Sequence, residues 1–485
     1  MAEPFTNIQK PAKIAVIGGM MAYFETIMPK GFRDDLGRHV GAATAALGDE
    51  FMLDELGLWA DDGDTARMAQ RLRANPPEAL LLVPTMATPP AAIAALAREA
   101  GVPVVIACTH DLSEITDAYD MRALCRHSTN VGATMLGAML ARVPDAPGHV
   151  VIAGFLDDAE FHRRLAMALR VAVLARRMKG LRIGRFGPVM PGYDHVGLNE
   201  EEAAMGGVEV IDIALDDWAS CHAAVTVEEI AAFRGDRLPA LLPEGTEWSA
   251  SEDLERAIRM AIALDRMACE RDIACGSLTC RGPFGVELPN GSIGCLATTL
   301  MTGSGRPFSA TGDLVTAVAM HIGKYLGGAT LYCELDAVDR KRDAFLVANT
   351  GEGDFAFVPA GGAATIRPAA AHSGRDLPGV VLAHDLSMGP ATMLGVVPDK
   401  GAGKFRLLAL EGDTLSPART ALQVTHGWFR TNRRPALDAF EAWANAHATH
   451  HGALSRGHLG EAIGWLGRLT GYAVTEIASG RSPHG

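Results

Sequence analysis

The first third of the chain repeats one pattern that few architectures accommodate. Short apolar runs end in turn formers and are separated by segments of helical periodicity. Lys13-Ile14-Ala15-Val16-Ile17-Gly18-Gly19 is the first such run. Its apolar residues are continuous rather than alternating, as in a strand covered on both faces of a parallel sheet. Residues 79–83, 102–107 and 149–153 repeat the pattern, with helical periodicity over 64–74, 91–100 and 130–142. Strands alternating with helices predict a parallel α/β sheet. The glycine pair after the first run is not GxGxxG, and no acidic residue stands at the end of a second strand, so a tight turn is preferred to a nucleotide site.

The remaining 300 or so residues change character twice. A helical segment at 160–175 gives way near Arg176 to a strand at 181–186 and a turn-rich loop, Gly187-Pro188-Val189-Met190-Pro191-Gly192-Tyr193-Asp194-His195. Strands at 208–214 and from 272, with a helix at 254–270 between them, make a second α/β layer. After residue 343 strand-like runs crowd together (345–348, 379–383, 393–397, 405–410 and 421–428), separated by Gly and Pro, which predicts mainly antiparallel β structure. A helix capped by Ser455 and ending at Gly471 is expected near the end, before a last strand at 472–474. The predicted fold is therefore two Rossmann-like or flavodoxin-like parallel-sheet domains, 1–176 and 177–343, followed by a β-rich domain, 344–485.

Composition narrows the partners. With 485 residues, 48% of them hydrophobic, the chain can bury a large core, and a formal net charge of -13 offers no basic footprint for phosphate backbones. Nucleic acid is not expected. The N-terminus lacks the pattern of a leader, and no apolar run reaches the roughly 20 residues of a membrane span, so a cytoplasmic protein with no membrane partner is expected. The eight cysteines stand singly without CxxC pairs, which fits reduced thiols better than zinc sites or disulfides.

The candidate chemistry centres on Ser309-Ala310-Thr311-Gly312-Asp313, an apolar helical run, and then Leu331-Tyr332-Cys333-Glu334-Leu335-Asp336. Asp313 is either a helix N-cap or a functional carboxylate. Glu334 lies within an apolar strand, where a carboxylate is costly unless paired or metal-bound. Asp336, Asp339 and Asp343 read as a solvated connection. Asn349-Thr350-Gly351-Glu352-Gly353-Asp354 ends the next strand and offers an amide and two more carboxylates, or a plain turn. His447, His450, His451 and His458 are the densest imidazole cluster. Carboxylates with one imidazole suit a cation such as Mn²⁺ or Mg²⁺.

Domain order, Arg185-Phe186-Gly187, Thr311-Gly312-Asp313, the Glu334 strand, Asn349-Thr350-Gly351 and His450-His451-Gly452 together resemble the L-fucose and L-arabinose isomerase family over nearly the whole chain. The resemblance implies aldose–ketose interconversion through an enediol proton shuttle. It implies Glu334 and Asp313 as catalytic carboxylates, and Mn²⁺ (or Mg²⁺ or Co²⁺) held by Glu334, His451 and Asp313. Met190, Thr311 and Asn349 would face a small sugar substrate, and the assembly would be a homo-oligomer, a trimer or hexamer. Two positions depart from the family pattern: Thr311 stands where relatives carry the first Glu, and Asn349 where arabinose isomerases carry His. A repurposed site, a catalytically altered sugar-binding or regulatory relative, and a sugar-acid epimerase or dehydratase are the alternatives those departures leave open.

Overall fold

A computed structural model describes residue 5 and residues 11–48, 50–369, 377–415 and 420–477. The chain divides into two compact units, one of Lys10–Arg177 with Gly464–Gly471 and one of Met1–Gln9, Met178–Ile463 and Tyr472–Gly485.

In the first unit, strands β1 (Ala12–Gly19), β2 (Phe51–Trp59), β3 (Ala79–Pro84), β4 (Val104–His110) and β5 (His149–Phe155) form a parallel sheet in the order β2-β1-β3-β4-β5. Every residue of β3 is buried, as its unbroken Ala-Leu-Leu-Leu-Val-Pro requires of a central strand covered on both faces. The predicted parallel sheet is present. The helix Phe32–Thr44 and strand β2 were not anticipated, because each mixes charged and apolar residues without a long apolar run.

The second unit opens with a four-stranded parallel sheet, β7-β6-β8-β9, built from β6 (Arg182–Phe186), β7 (Glu209–Asp212), β8 (Cys275–Leu278) and β9 (Phe308–Ala310). Phe186 packs edge-on against Trp218 and Phe308. The helix Glu252–Glu270, capped by the Ser251 side chain, buries Leu254, Ile258, Ala261 and Leu264 at helical spacing in the same core.

Beyond it lie β10 (Thr330–Asp339), β11 (Ala344–Ala348), the pair β12 (Thr365–Pro368) and β13 (Val380–Ala383), then β14 (Gly389–Asp399), β15 (Lys404–Thr414), β16 (His426–Thr431), β17 (His451–Arg456) and β18 (Ala473–Glu476). Seven of these form one sheet in the order β14-β17-β10-β11-β16-β15-β18, and β14 also pairs with β15, closing six strands on themselves. All its pairings are antiparallel except β15 with β18. Closure removes free edges, which is how an antiparallel sheet of this size protects its ladder groups.

The structure departs from the sequence expectations at three places. Ser455 is not a helix cap: it lies in β17 with its hydroxyl 3.1 Å from that of Thr330, and the helix begins at Gly460. Asp336 and Asp339 belong to β10, which continues past Glu334 as a paired strand. The run expected at 421–428 is strand only from His426, preceded by turns. The helix Leu314–Gly327 joins β9 to β10 and lies against β17. At Gly323 a Cβ would meet Ser455 Oγ at 1.8 Å, so only glycine allows helix and strand this close. That contact fixes the helix carrying Asp313 against the strand carrying His451.

Candidate active site

Asp313 is buried and N-caps the helix Leu314–Gly327, its Oδ1 accepting the Thr316 N–H at 2.8 Å. Its Oδ2 lies 2.8 Å from His451 Nδ1 and accepts a hydrogen bond from the Tyr332 hydroxyl at 3.3 Å. The same hydroxyl is 2.7 Å from His451 Nδ1. On the other side of the imidazole, Nε2 faces Glu334 Oε1 at 3.4 Å. Strand register delivers this last contact, since β10 and β17 place Glu334 directly opposite His451. Opposed residues on antiparallel strands bring Cβ atoms within about 5 Å, so side chains of this length meet.

The electrostatics follow from the geometry. Burial alone would lower the pKa of His451, but hydrogen bonds to Asp313 and Glu334, with the charges of both carboxylates, outweigh it and push it up to about 9. The hydrogen bond from His451 holds Glu334 below the ordinary carboxylate range. Burial first, then the nearby Asp313 charge, pushes the Tyr332 phenol well above its usual value. Tyr332 therefore stays a neutral hydrogen-bonding group.

His450 is exposed, with its ring 3.8 Å from that of His451 and its Nδ1 3.0 Å from His195 Nε2. Burial and the charge of His451 lower its pKa, which keeps the imidazole neutral and able to donate a lone pair. Glu334, His450 and His451 each present one donor atom, all within 4.8 Å of one another. One carboxylate and two imidazoles suit a borderline divalent cation. Asp313 sits against Nδ1, the arrangement in which a carboxylate orients a metal-binding histidine and raises its basicity.

The remaining expected residues fall nearby. Thr311 occupies a left-handed backbone conformation (φ 61°), unusual for a β-branched residue, and its hydroxyl is 3.4 Å from that of Tyr332. Its carbonyl accepts the Met190 N–H at 3.1 Å, so the loop after β6 is tied to this turn. Gly312 follows with φ 80°, and a Cβ there would meet Val189 Cα at 2.5 Å. Asn349 comes one residue after Ala348, the β11 partner of Glu334; its Nδ2 is buried without a hydrogen-bond partner among the described residues. Met190 and Thr311 also line a small recess of about 30 Å³, room for one water-sized group, together with Arg281, Cys295, Thr350 and Glu352.

Tyr332 and His195 were not singled out by sequence reasoning, and His450 stood there only as the alternative to His451 as the metal ligand. Tyr332 carries a signal that could have found it, because residues two apart on a strand share a face and Glu334 is two positions on. His195 carries none, since its contact joins positions 255 residues apart. All eight cysteines are free thiols; Cys108, Cys275, Cys280, Cys295 and Cys333 are buried, and Cys269 is exposed.

No family model matches the chain. It is similar to an L-arabinose isomerase from Nocardioides sp., with 25% identity over 347 residues. The match covers 67% of this chain and 66% of that protein, just under two thirds of its length. Among the described residues no helix is long and apolar enough to cross a membrane.

Proposed function

We propose that the chain is a metal-assisted aldose–ketose isomerase or a close enolising relative acting on a sugar. The single observation that carries this reading is the arrangement of Asp313, His451, Glu334 and His450, in which a buried carboxylate orients an imidazole whose other nitrogen faces a partly exposed carboxylate. Similarity to a protein named L-arabinose isomerase supports the substrate class. A divalent cation held by Glu334, His450 and His451 would supply polarisation of the sugar's carbonyl and neighbouring hydroxyl oxygens. Two imidazoles favour Mn²⁺ or Co²⁺ over Mg²⁺, which prefers oxygen ligands.

The chain's own residues divide the remaining work. Asp313 has both oxygens engaged by Thr316, Tyr332 and His451, so its role is to position His451 rather than to touch substrate. Glu334, whose side chain is 37% exposed, is accessible to a ligand and ionised at neutral pH. Its second oxygen takes the proton from the carbon beside the carbonyl and returns it to the former carbonyl carbon. Met190 and Thr311 wall the substrate side. The protein is proposed to work in the cytoplasm as a homo-oligomer.

Turnover of L-arabinose, L-fucose and a wider aldose panel with Mn²⁺, Co²⁺ and Mg²⁺ tests this reading. Metal-dependent ketose formation that Glu334→Gln abolishes without loss of fold supports it, and full activity in metal-free protein contradicts it. Thr311, a hydroxyl where the resemblance places a carboxyl, favours one second reading: a relative that binds sugar without converting it. Sugar binding by calorimetry with no turnover on any panel member identifies that case. Loss of water from the product, or label from D₂O without carbonyl migration, identifies a dehydratase or epimerase.

A further inference from the structure

Glu352 has only 6% of its surface exposed, and its Oε2 is buried without a hydrogen-bond partner among the described residues. An unpaired buried carboxyl oxygen forfeits a hydrogen bond that water would supply, a cost native proteins seldom leave uncompensated. The side chain lines the recess together with Met190 and with Thr311, in the turn that leads into Asp313. Its other oxygen, Oε1, accepts a weak contact from the Cys295 thiol at 3.6 Å.

The backbone holds this carboxyl in place. Gly351 has φ 132°, and a Cβ there would meet Val381 Cγ1 at 2.5 Å; its carbonyl accepts the Leu382 N–H at 3.0 Å. The Gly353 N–H donates to Thr299 Oγ1 at 3.0 Å. Asp354, fully buried, pairs with Lys324 at 2.7 Å and accepts the Thr330 N–H at 3.0 Å. The loop bearing Glu352 is thus anchored to β13, to the helix Cys295–Gly303 and to the unit containing Asp313 and Glu334. A plain turn needs none of this, whereas a preorganised functional group does.

We infer that Glu352 is a substrate-contacting acid/base carboxyl of the proposed isomerase site, donating a proton to a sugar oxygen in the recess. The inference rests on the isomerase reading above. The proton count closes. As Glu334 removes the C–H proton, the C–H electron pair forms the carbon–carbon double bond, and the Glu352 carboxyl protonates the former carbonyl oxygen. In the return half, Glu352 takes the proton from the neighbouring hydroxyl as that oxygen becomes the new carbonyl, and Glu334 delivers its proton to the other carbon. Both carboxyl groups end as they began.

Titration supports the assignment. Burial raises the Glu352 pKa, so the carboxyl is poised to be protonated. The groups facing it are the Cys295 and Cys280 thiols, the Arg281 guanidinium, His451 and Tyr332. Arg281 and His451 oppose the rise, and the thiols and the phenol are themselves pushed upward and neutral. The Thr311 hydroxyl cannot serve as the acid/base group near neutral pH, so the recess's buried carboxyl is the group suited to that work.

The full-length Mn²⁺-loaded protein, with Glu352→Gln and Glu352→Asp, tests the inference. Glu352→Gln is expected to lower kcat at least 100-fold and to remove one limb of the kcat–pH profile. Mn²⁺ affinity should stay within twofold, and Glu352→Asp should recover part of the rate. Turnover of Glu352→Gln within threefold of the parent, with an unchanged pH profile, overturns it. If the parent protein converts no sugar, the isomerase reading fails by itself. L-Arabinitol binding then decides whether Glu352 serves a ligand: at least tenfold weaker binding to Glu352→Gln supports the recess as the place of one polyol hydroxyl, and unchanged or absent binding overturns it.

Discussion

Asp313 Oδ2 lies 2.8 Å from His451 Nδ1, on the ring edge opposite the nitrogen that faces Glu334. The imidazole is thereby fixed between two carboxylates with different surroundings, one buried as a helix cap and one open to a ligand. Asp313→Asn keeps an oxygen for the Thr316 N–H but removes the charge that orients His451. Mn²⁺ affinity is expected to fall about 10- to 100-fold, as for other partners of metal-binding histidines. Titration calorimetry on both proteins measures it, and unchanged affinity would show that Asp313 serves the helix alone.

The raised pKa of His451 has a definite sign. Its folded-state value of about 9 exceeds the ordinary 6.5, so the metal-free protein gains stability that is complete below pH 6.5 and lost as pH rises through 9. The whole effect is about 3–4 kcal/mol at most, since each pH unit separating the folded and unfolded values is worth about 1.36 kcal/mol. Melting temperatures of metal-free protein should fall across that window. At pH 7.5 Mn²⁺ binding should release close to one proton, detected as buffer-dependent calorimetric enthalpy, because a metal-bound imidazole must be deprotonated.

Gly312 sits where backbone conformation and space both exclude a side chain. Gly312→Ala must hold φ near 80° and push Val189 away from 2.5 Å, costing about 2–5 kcal/mol. Gly37, in the helix Phe32–Thr44 with nothing within 4 Å of its Cβ position, provides the contrast. Gly37→Ala should stabilise by about 0.5–1 kcal/mol. Urea unfolding of the two variants checks both signs.

Lys324 and Asp354 form a buried pair, with side-chain exposures of 9% and 0%. Lys324→Met leaves the carboxylate without its counter-charge and should cost about 3–5 kcal/mol. The loop from Asn349 to Asp354 should then lose protection in amide hydrogen exchange before β10 does. Equal protection in both segments would mean that the pair does not anchor the loop.

Much of this fold was readable where one sequence signal sufficed. The continuous apolar residues of β3 mark a strand covered on both faces, and Asp313 before Leu314, Val318 and Ile322 marks a capped helix. β17 was hidden because His-Gly-Ala-Leu-Ser-Arg has no β-branched residue. Its place comes from pairing on both sides, with β10 and β14, and its buried Ser455 is satisfied by Thr330. The site was legible in part for the same reason. Glu334 stood out as an acid in an apolar strand, whereas His450, His195 and Tyr332 acquire their partners only through strand register and a loop 255 residues away. Asn349 and Glu352 were visible as polar residues at a strand end, but their unpaired buried atoms follow from tertiary packing.

Glu334, His450 and His451 are expected to hold a divalent cation. Anomalous diffraction at the manganese edge, from crystals grown with Mn²⁺, tests it most directly. One strong peak is expected within bonding distance of Glu334, His450 and His451, with Asp313 still on His451 Nδ1. No peak there, or a peak bound by other residues, would contradict it.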